Sequence, residues 1–131
     1  MNKIDKLFKT IEFIQQKKIT NTDKAGYVYL VFSGGRCKIG ITKDPLKRIE
    51  TFKVSSPFEV YVLCIRYFYD AIAVERLLHS FYKKFGKKGE WFELTRDQIF
   101  ECCDLLEMGW FVGESERLEK GAKQAMIFDM F

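Results

Sequence analysis

The sequence of 131 residues lacks the patterns of several common protein classes. Its four cysteines show neither zinc-finger spacing nor the framework of a disulfide-rich secreted domain. No segment approaches the roughly 20 apolar residues of a membrane span, and the Lys-rich amphipathic start does not resemble a signal peptide. Internal repeats and low-complexity segments are also missing. We therefore expect a soluble, intracellular protein without a membrane partner, of a length that fits one domain.

Positive charge is distributed unevenly along the chain. The net charge is +4, but basic residues dominate up to Gly89 and acidic residues are in excess from Glu90 onward. This asymmetry is typical of a chain whose N-terminal part faces a polyanion, although a Lys-rich solvated surface gives the same pattern. The side chains that we expect to contact nucleic-acid phosphates are Lys43, Lys47, Lys53, Lys83, Lys87 and Lys88.

Apolar periodicity and turn-forming residues predict eight elements in the order α-β-β-α-β-α-β-α. Asp44, Asp70 and Thr95 are expected to cap the three later helices. The apolar run Phe58 to Phe68 predicts a central strand covered on both faces. The expected fold class is α/β (α+β), with helices flanking a small mixed, mainly antiparallel sheet of three to four strands.

The predicted organisation has three parts. Residues 1–25 form an amphipathic helix and a linker, residues 26–112 form the main domain, and residues 113–131 form a tail that is helical or mobile. Cys37 and Cys64 fall in predicted strands, where a free cysteine is usually a small core residue.

Several residues suited to phosphodiester chemistry follow one another in a fixed order. A predicted hairpin carries Tyr29 and Lys38, and the first turn of the next helix carries Arg48. A proton acceptor next to cations is what the reaction at a phosphate requires. Further along, Glu75 and His79 lie four residues apart on one helix face, where a carboxylate can hold a divalent metal.

Each of these residues also has an ordinary structural interpretation. Tyrosine is common in strands, so Tyr27 and Tyr29 alone indicate little. Arg48 on a helix is by default a solvated surface residue, and Glu75 with His79 can be a simple surface pair. Glu75 differs from the others, because a carboxylate at the edge of an apolar stripe needs a partner.

Taken together, four ordered motifs resemble those of the GIY-YIG nuclease superfamily. They are Tyr27-Val28-Tyr29, Lys38-Ile39-Gly40 with Arg48 ten residues after Lys38, Glu75 with His79, and Gly89-Glu90-Trp91-Phe92. The resemblance covers about half of the chain and is strongest to a branch frequent in phages, large DNA viruses and fungi. Lys38 stands where tyrosine is usual in the superfamily.

The resemblance implies a metal-dependent endonuclease that hydrolyses DNA, with RNA as the alternative substrate. Glu75 would bind Mg²⁺ or Mn²⁺, Arg48 would clamp the phosphate, and Tyr29 would act as general base or position the attacking water. Lys38 would lower the pKa of Tyr29. Tyr27 and His79 complete the implied catalytic set, with His79 assisting at the metal-bound water or the phosphate. Glu90 would contact the residues of this set without touching the substrate.

Two other functions remain open from the sequence. The chain can be a degenerate GIY-YIG module that binds nucleic acid or a protein without cutting, since Lys38 replaces tyrosine and Phe52 stands four residues after Arg48 where relatives carry a polar group. It can also be an interaction protein that forms a homo-oligomer or binds a partner through its first helix or its C-terminal tail.

Overall fold

The computed structural model describes residues 2–16 and 22–111. The helices are α1 (Lys3–Gln16), α2 (Pro45–Ser55), α3 (Ala71–Phe81) and α4 (Arg96–Phe111). The strands are β1 (Gly26–Ser33), β2 (Arg36–Thr42), β3 (Val60–Phe68) and β4 (Trp91–Phe92). The predicted order of elements is confirmed. The predicted tail, residues 113–131, lies outside the described residues.

Local capping signals fix where three helices begin. Asp44 accepts a hydrogen bond from the backbone N–H three residues on (3.2 Å), with Pro45 as the first helical residue. Asp70 does the same at 3.0 Å. Thr95 Oγ1 accepts from the Gln98 N–H at 3.2 Å, and Gln98 Oε1 accepts from the Thr95 N–H at 2.8 Å. All three predicted caps are confirmed.

The four strands form one sheet in the order β3-β1-β2-β4. All three pairings are antiparallel, which confirms the predicted α/β (α+β) fold with a small, mainly antiparallel sheet flanked by helices. The prediction that residues 58–68 form the central strand is wrong: β1 is paired on both sides, and β3 lies at an edge. Both faces of the second half of β3 are covered. Cys64 packs into an apolar cluster on one face of the sheet, and Ile65 packs into a second cluster on the other face. An apolar run therefore reflects this two-sided burial and not a central position.

The sheet separates two apolar clusters. Helices α1, α3 and α4 cover one face, here called the helical face, where Val28 and Leu30 of β1 are buried. The other face, here called the site face, carries Tyr27, Tyr29 and Val31 of β1 and is partly covered by α2. Cys37 and Cys64 are both buried in the helical-face core, as predicted.

Helix α1 is part of the same core. Leu7 and Ile11 are buried against the other helices. The Gln15 side chain is buried as well; its Nε2 donates to the Tyr67 carbonyl (3.3 Å) and its Oε1 accepts from the Tyr69 N–H (3.1 Å). The apolar stripe of α1, which the sequence suggested as an assembly surface, is therefore used within the chain. None of the described helices combines the length and apolar character needed to cross a membrane.

Candidate active site

The site is built around Tyr29, which lies across Gly40 of the neighbouring strand. The two residues are partners in the β1–β2 register. A Cβ atom on Gly40 would lie 2.3 Å from the Tyr29 hydroxyl, so only glycine leaves room for this ring. The ring is 2% exposed, and its hydroxyl has no hydrogen bond of regular geometry to the described residues, although the Arg48 side chain comes close enough to act on it as a donor. A buried hydroxyl without a partner is uncommon and indicates a site that meets a ligand or solvent.

Arg48 reaches this hydroxyl from the first turn of α2. Its guanidinium carbon lies 5.5 Å from the centroid of the Phe52 ring, one helical turn further on. The Phe52 ring in turn meets the Tyr29 ring edge to face, with centroids 5.7 Å apart. Phe52 therefore holds Arg48 and Tyr29 in fixed relative positions.

The pKa of Tyr29 is raised above its usual value of 10.0, chiefly because burial disfavours the phenolate. Arg48 opposes this effect, while the carboxylates of Glu90 and Glu75 add to it. The expectation of a lowered pKa for Tyr29 is therefore wrong, while a contribution of Lys38 stays a prediction. Lys38 is the register partner of Val31, and the cation that acts most strongly on the Tyr29 hydroxyl is Arg48.

Lys38 instead joins two aromatic rings and a carboxylate at the β4 side of the site. Its Nζ lies 5.1 Å from the centroid of Phe52 and 5.7 Å from that of Trp91. The same atom is 3.7 Å from Glu90 Oε2. Glu90, expected to support the site, is thus placed beside it by its ion pair with Lys38.

Helix α3 contributes Glu75 and His79 along the part of β2 that β4 leaves uncovered. Since the pairing of β4 with β2 covers only Cys37 and Lys38, Ile39 is the first residue of β2 beyond it. His79 Nε2 donates to the Ile39 carbonyl at 2.7 Å, which fixes the proton on that nitrogen because the carbonyl only accepts. The ring also meets Phe92 edge to face, with centroids 5.0 Å apart.

Glu75 is a half-buried carboxylate without a hydrogen-bond or ion-pair partner among the described residues. Burial raises its pKa, and the nearby charge of Glu90 raises it further. His79, Arg76 and Lys38 oppose this shift. The carboxylate therefore lies in the same electrostatic neighbourhood as Tyr29, and a cation bound there would offset its desolvation.

A divalent cation fits this site only if one carboxylate, that of Glu75, is enough to hold it together with waters and substrate phosphates. Within residues 2–16 and 22–111, no group of three or more His, Cys, Asp or Glu side chains forms a metal cage. Mg²⁺ does not need one, because it keeps several waters and is commonly held by one or two carboxylates together with substrate phosphates. Glu75 is suited to be such a ligand.

A comparison with known protein families identifies the domain. The family model of the T5orf172 domain matches residues 26–107, which span β1 to α4 and contain every element of the site. The chain belongs to the T5orf172 domain family. This family lies in the context of GIY-YIG/HNH-like endonucleases, and nucleic-acid binding is consistent with it. No curated protein and no solved structure matches the chain.

Tyr27 lies on the site face of this T5orf172 domain, two residues before Tyr29. Its ring meets Tyr67 edge to face at 5.3 Å between centroids. This contact explains its burial by packing, and its part in catalysis stays a prediction.

The predicted phosphate contacts do not form one surface. Lys43, Lys47 and Lys53 precede or belong to α2, the helix that covers the site face. Lys87 and Lys88 lie in the loop before β4, where Lys87 Nζ is 3.2 Å from Glu93 Oε2. Lys83, by contrast, lines a cavity of about 850 Å³ among α1, α3 and α4. It is therefore not part of the surface around Tyr29.

Sequence reasoning missed the central role of Phe52. It was noted only as a departure from the polar residue of relatives, yet its ring contacts Tyr29, Lys38 and Arg48. The spacing of four residues between Arg48 and Phe52 was the available signal, because it places both on one helix face.

Proposed function

We propose that this T5orf172 domain is a metal-dependent endonuclease of the GIY-YIG type that hydrolyses DNA phosphodiester bonds. The supporting observation is the buried Tyr29 hydroxyl, which lies beside Arg48 without a hydrogen bond of regular geometry and in the electrostatic field of Glu75, a carboxylate without an ion-pair partner among the described residues. These groups are a proton acceptor, a phosphate-binding cation and a metal-binding carboxylate, which are the functions that phosphodiester hydrolysis requires.

In this proposal Glu75 would hold Mg²⁺ or Mn²⁺, and the ion would supply Lewis-acid polarisation of the phosphate and stabilisation of the leaving oxygen. Arg48 binds the scissile phosphate through a planar guanidinium, a geometry that lysine does not offer. Tyr29 accepts the proton of the attacking water. Its raised pKa makes it a strong but rarely ionised base, and Arg48 favours the ionised form.

His79 and the Lys38–Glu90 pair have positioning roles in this mechanism. The bond from His79 Nε2 to the Ile39 carbonyl anchors the imidazole ring one helical turn after Glu75. The Lys38–Glu90 ion pair limits how far the second carboxylate acts on Tyr29 and Glu75. Lys43, Lys47 and Lys53 offer sequence-independent contacts to the DNA backbone, or to that of RNA.

A second candidate function is a module that binds nucleic acid without cutting it. Two observations favour it: burial raises the pKa of Tyr29, and an apolar ring, Phe52, fills the position of a polar group. Both candidates predict salt-sensitive DNA binding. Only the nuclease predicts metal-dependent strand cleavage.

The experiment that separates them is cleavage of supercoiled and branched DNA with Mg²⁺ or Mn²⁺ by wild type, Arg48→Ala and Glu75→Gln. We expect wild type to cut and both variants to lose at least about a hundredfold in rate. The matched controls are Arg96→Ala and Asp104→Asn, both exposed on α4, which should cut like wild type. Cutting that survives in Arg48→Ala and Glu75→Gln would contradict the assignment, and binding without cutting would favour the second candidate.

Metal binding at Glu75 can be measured without cleavage. Mg²⁺ that binds only the folded protein raises its unfolding temperature in proportion to the logarithm of its concentration. We expect this rise for wild type and Asp104→Asn but not for Glu75→Gln. An equal rise in all three proteins would place the metal elsewhere.

A further inference from the structure

A cavity of about 400 Å³ lies on the site face, next to the candidate active site. Its walls come from three separate segments: the β1–β2 turn, the linker between α2 and β3, and β4. Arg36, Phe58 and Trp91 give it a guanidinium and two aromatic rings. Ser33 and Ser56 add hydroxyl groups. None of these five residues has a role in the proposed hydrolysis.

The cavity shares a wall with the active site. Trp91 is the register partner of Lys38, whose Nζ lies 5.7 Å from the Trp91 ring and 5.1 Å from the Phe52 ring. Arg48 stacks on the same Phe52 ring. A continuous path of cations and rings therefore leads from Arg48 to Trp91 and into the cavity.

The position of Phe58 is set by the surrounding backbone although its side chain is 62% exposed. The Gly34 backbone has a φ of +60°, and a Cβ atom there would lie 2.6 Å from the Phe58 ring. Ser33 Oγ and Ser56 Oγ are 3.0 Å apart, and the Phe58 N–H donates to Ser56 Oγ at 3.2 Å. These bonds tie the linker to the hairpin turn, so the aromatic wall is held in place before any ligand binds.

We propose that this cavity receives an unstacked nucleobase next to the scissile phosphate. Aromatic rings and arginine guanidinium planes are the surfaces on which proteins stack unpaired bases. The Ser33 and Ser56 hydroxyls can hydrogen-bond a base edge, and Arg36 and Lys38 favour a polyanionic strand. This inference rests on the proposed function and narrows its substrate to single-stranded or locally unpaired nucleic acid.

The test compares two oligonucleotides of equal charge by fluorescence anisotropy without divalent metal. One is oligo(dT) of about 12 nucleotides, and the other is an abasic strand of the same length. Wild type should bind oligo(dT) roughly tenfold more tightly, since base stacking on an aromatic ring is worth about that much or more. Phe58→Ala should lose most of this preference while binding the abasic strand nearly as before. Arg36→Ala should also lose most of the preference, but it should bind both strands more weakly because it removes a cation.

The matched controls are Phe100→Ala and Arg96→Ala. Phe100 is 56% exposed, and the Arg96 guanidinium carbon lies 5.5 Å from its ring centroid, so the pair resembles the cavity chemically but lies on α4. Both variants should bind like wild type. Equal binding of the two strands by wild type, or an unchanged preference in Phe58→Ala, would overturn the cavity assignment.

The same proteins separate failure of this inference from failure of the proposed function. Metal-dependent cutting that needs Arg48, without any base preference, would support the proposed nuclease and contradict the proposed nucleobase site. A base preference that needs Phe58, in a protein that never cuts, would support the nucleobase site and contradict the proposed nuclease activity.

Discussion

At the scale of single residues, Tyr29 combines burial with an unsatisfied hydroxyl. A buried polar group without a partner lowers stability by about 1–3 kcal/mol, so Tyr29→Phe should leave the free energy of unfolding unchanged or raise it. Tyr82 provides the matched comparison, because its buried hydroxyl donates to Glu101 Oε1 at 2.8 Å. Tyr82→Phe should lower the free energy of unfolding by about 1 kcal/mol. Urea denaturation of the two variants measures both values.

Equal destabilisation by the two substitutions would mean that the Tyr29 hydroxyl has a stabilising partner after all. The expected pattern for Tyr29→Phe is retained or increased stability together with lost cleavage. A side chain kept for function at the expense of stability behaves in this way.

Gly40 is required by the Tyr29 ring and not by backbone conformation. In Gly40→Ala the new Cβ meets the Tyr29 hydroxyl at 2.3 Å, so the ring must leave its present position. We expect a loss of stability of about 1–3 kcal/mol from overpacking and a loss of cleavage. Gly35→Ala is the control, because its Cβ meets nothing within 4 Å and only its φ of +81° is unfavourable. It should lose about 1 kcal/mol and keep its activity, measured by thermal unfolding and plasmid nicking.

The raised pKa of Tyr29 gives the cleavage rate a definite pH dependence. The general base works in its ionised form. At pH values below the pKa of Tyr29, which exceeds 10.0, the ionised fraction increases about tenfold for each unit by which the pH rises. The rate at saturating metal should therefore rise roughly tenfold per unit between about pH 7 and 9. A plateau already reached at neutral pH would show that Tyr29 is not the base.

At the scale of elements, the sequence was informative where the signal is local. The caps Asp44, Asp70 and Thr95 act on backbone groups within three residues, so residue type and spacing suffice to find them. Strand order depends on contacts far apart in sequence. The apolar run of β3 therefore suggested a central strand, although β3 pairs only with β1.

One buried amide, that of Gln15, contributes to the docking of α1 on the sheet. In Gln15→Leu, the Tyr69 N–H loses its acceptor, and the chain should lose about 1–3 kcal/mol of stability. Gln16→Leu makes the same chemical change at an exposed position of the same helix and should stay within about 0.5 kcal/mol of wild type. Equal values in urea denaturation would contradict the role of Gln15 in holding α1.

At the scale of the whole molecule, the candidate site joins β1, α2 and α3 across the sheet. Motif resemblance indicated Tyr29, Arg48 and Glu75, and the fold places all three in one electrostatic neighbourhood. The direction of the Tyr29 pKa shift was predicted wrongly, because it is set by burial among residues far apart in the sequence. The cavity at Trp91 was not predictable either, since its walls come from three segments that only the folded chain brings together.

The most direct test of the account is the time course of nicking of supercoiled DNA by purified wild type and Arg48→Ala, with Mg²⁺ and with a chelator. We expect nicking by wild type that requires Mg²⁺ and that falls at least about a hundredfold in Arg48→Ala. Nicking by Arg48→Ala at the wild-type rate, or no nicking by wild type at any Mg²⁺ concentration, would contradict the claim that this site hydrolyses DNA.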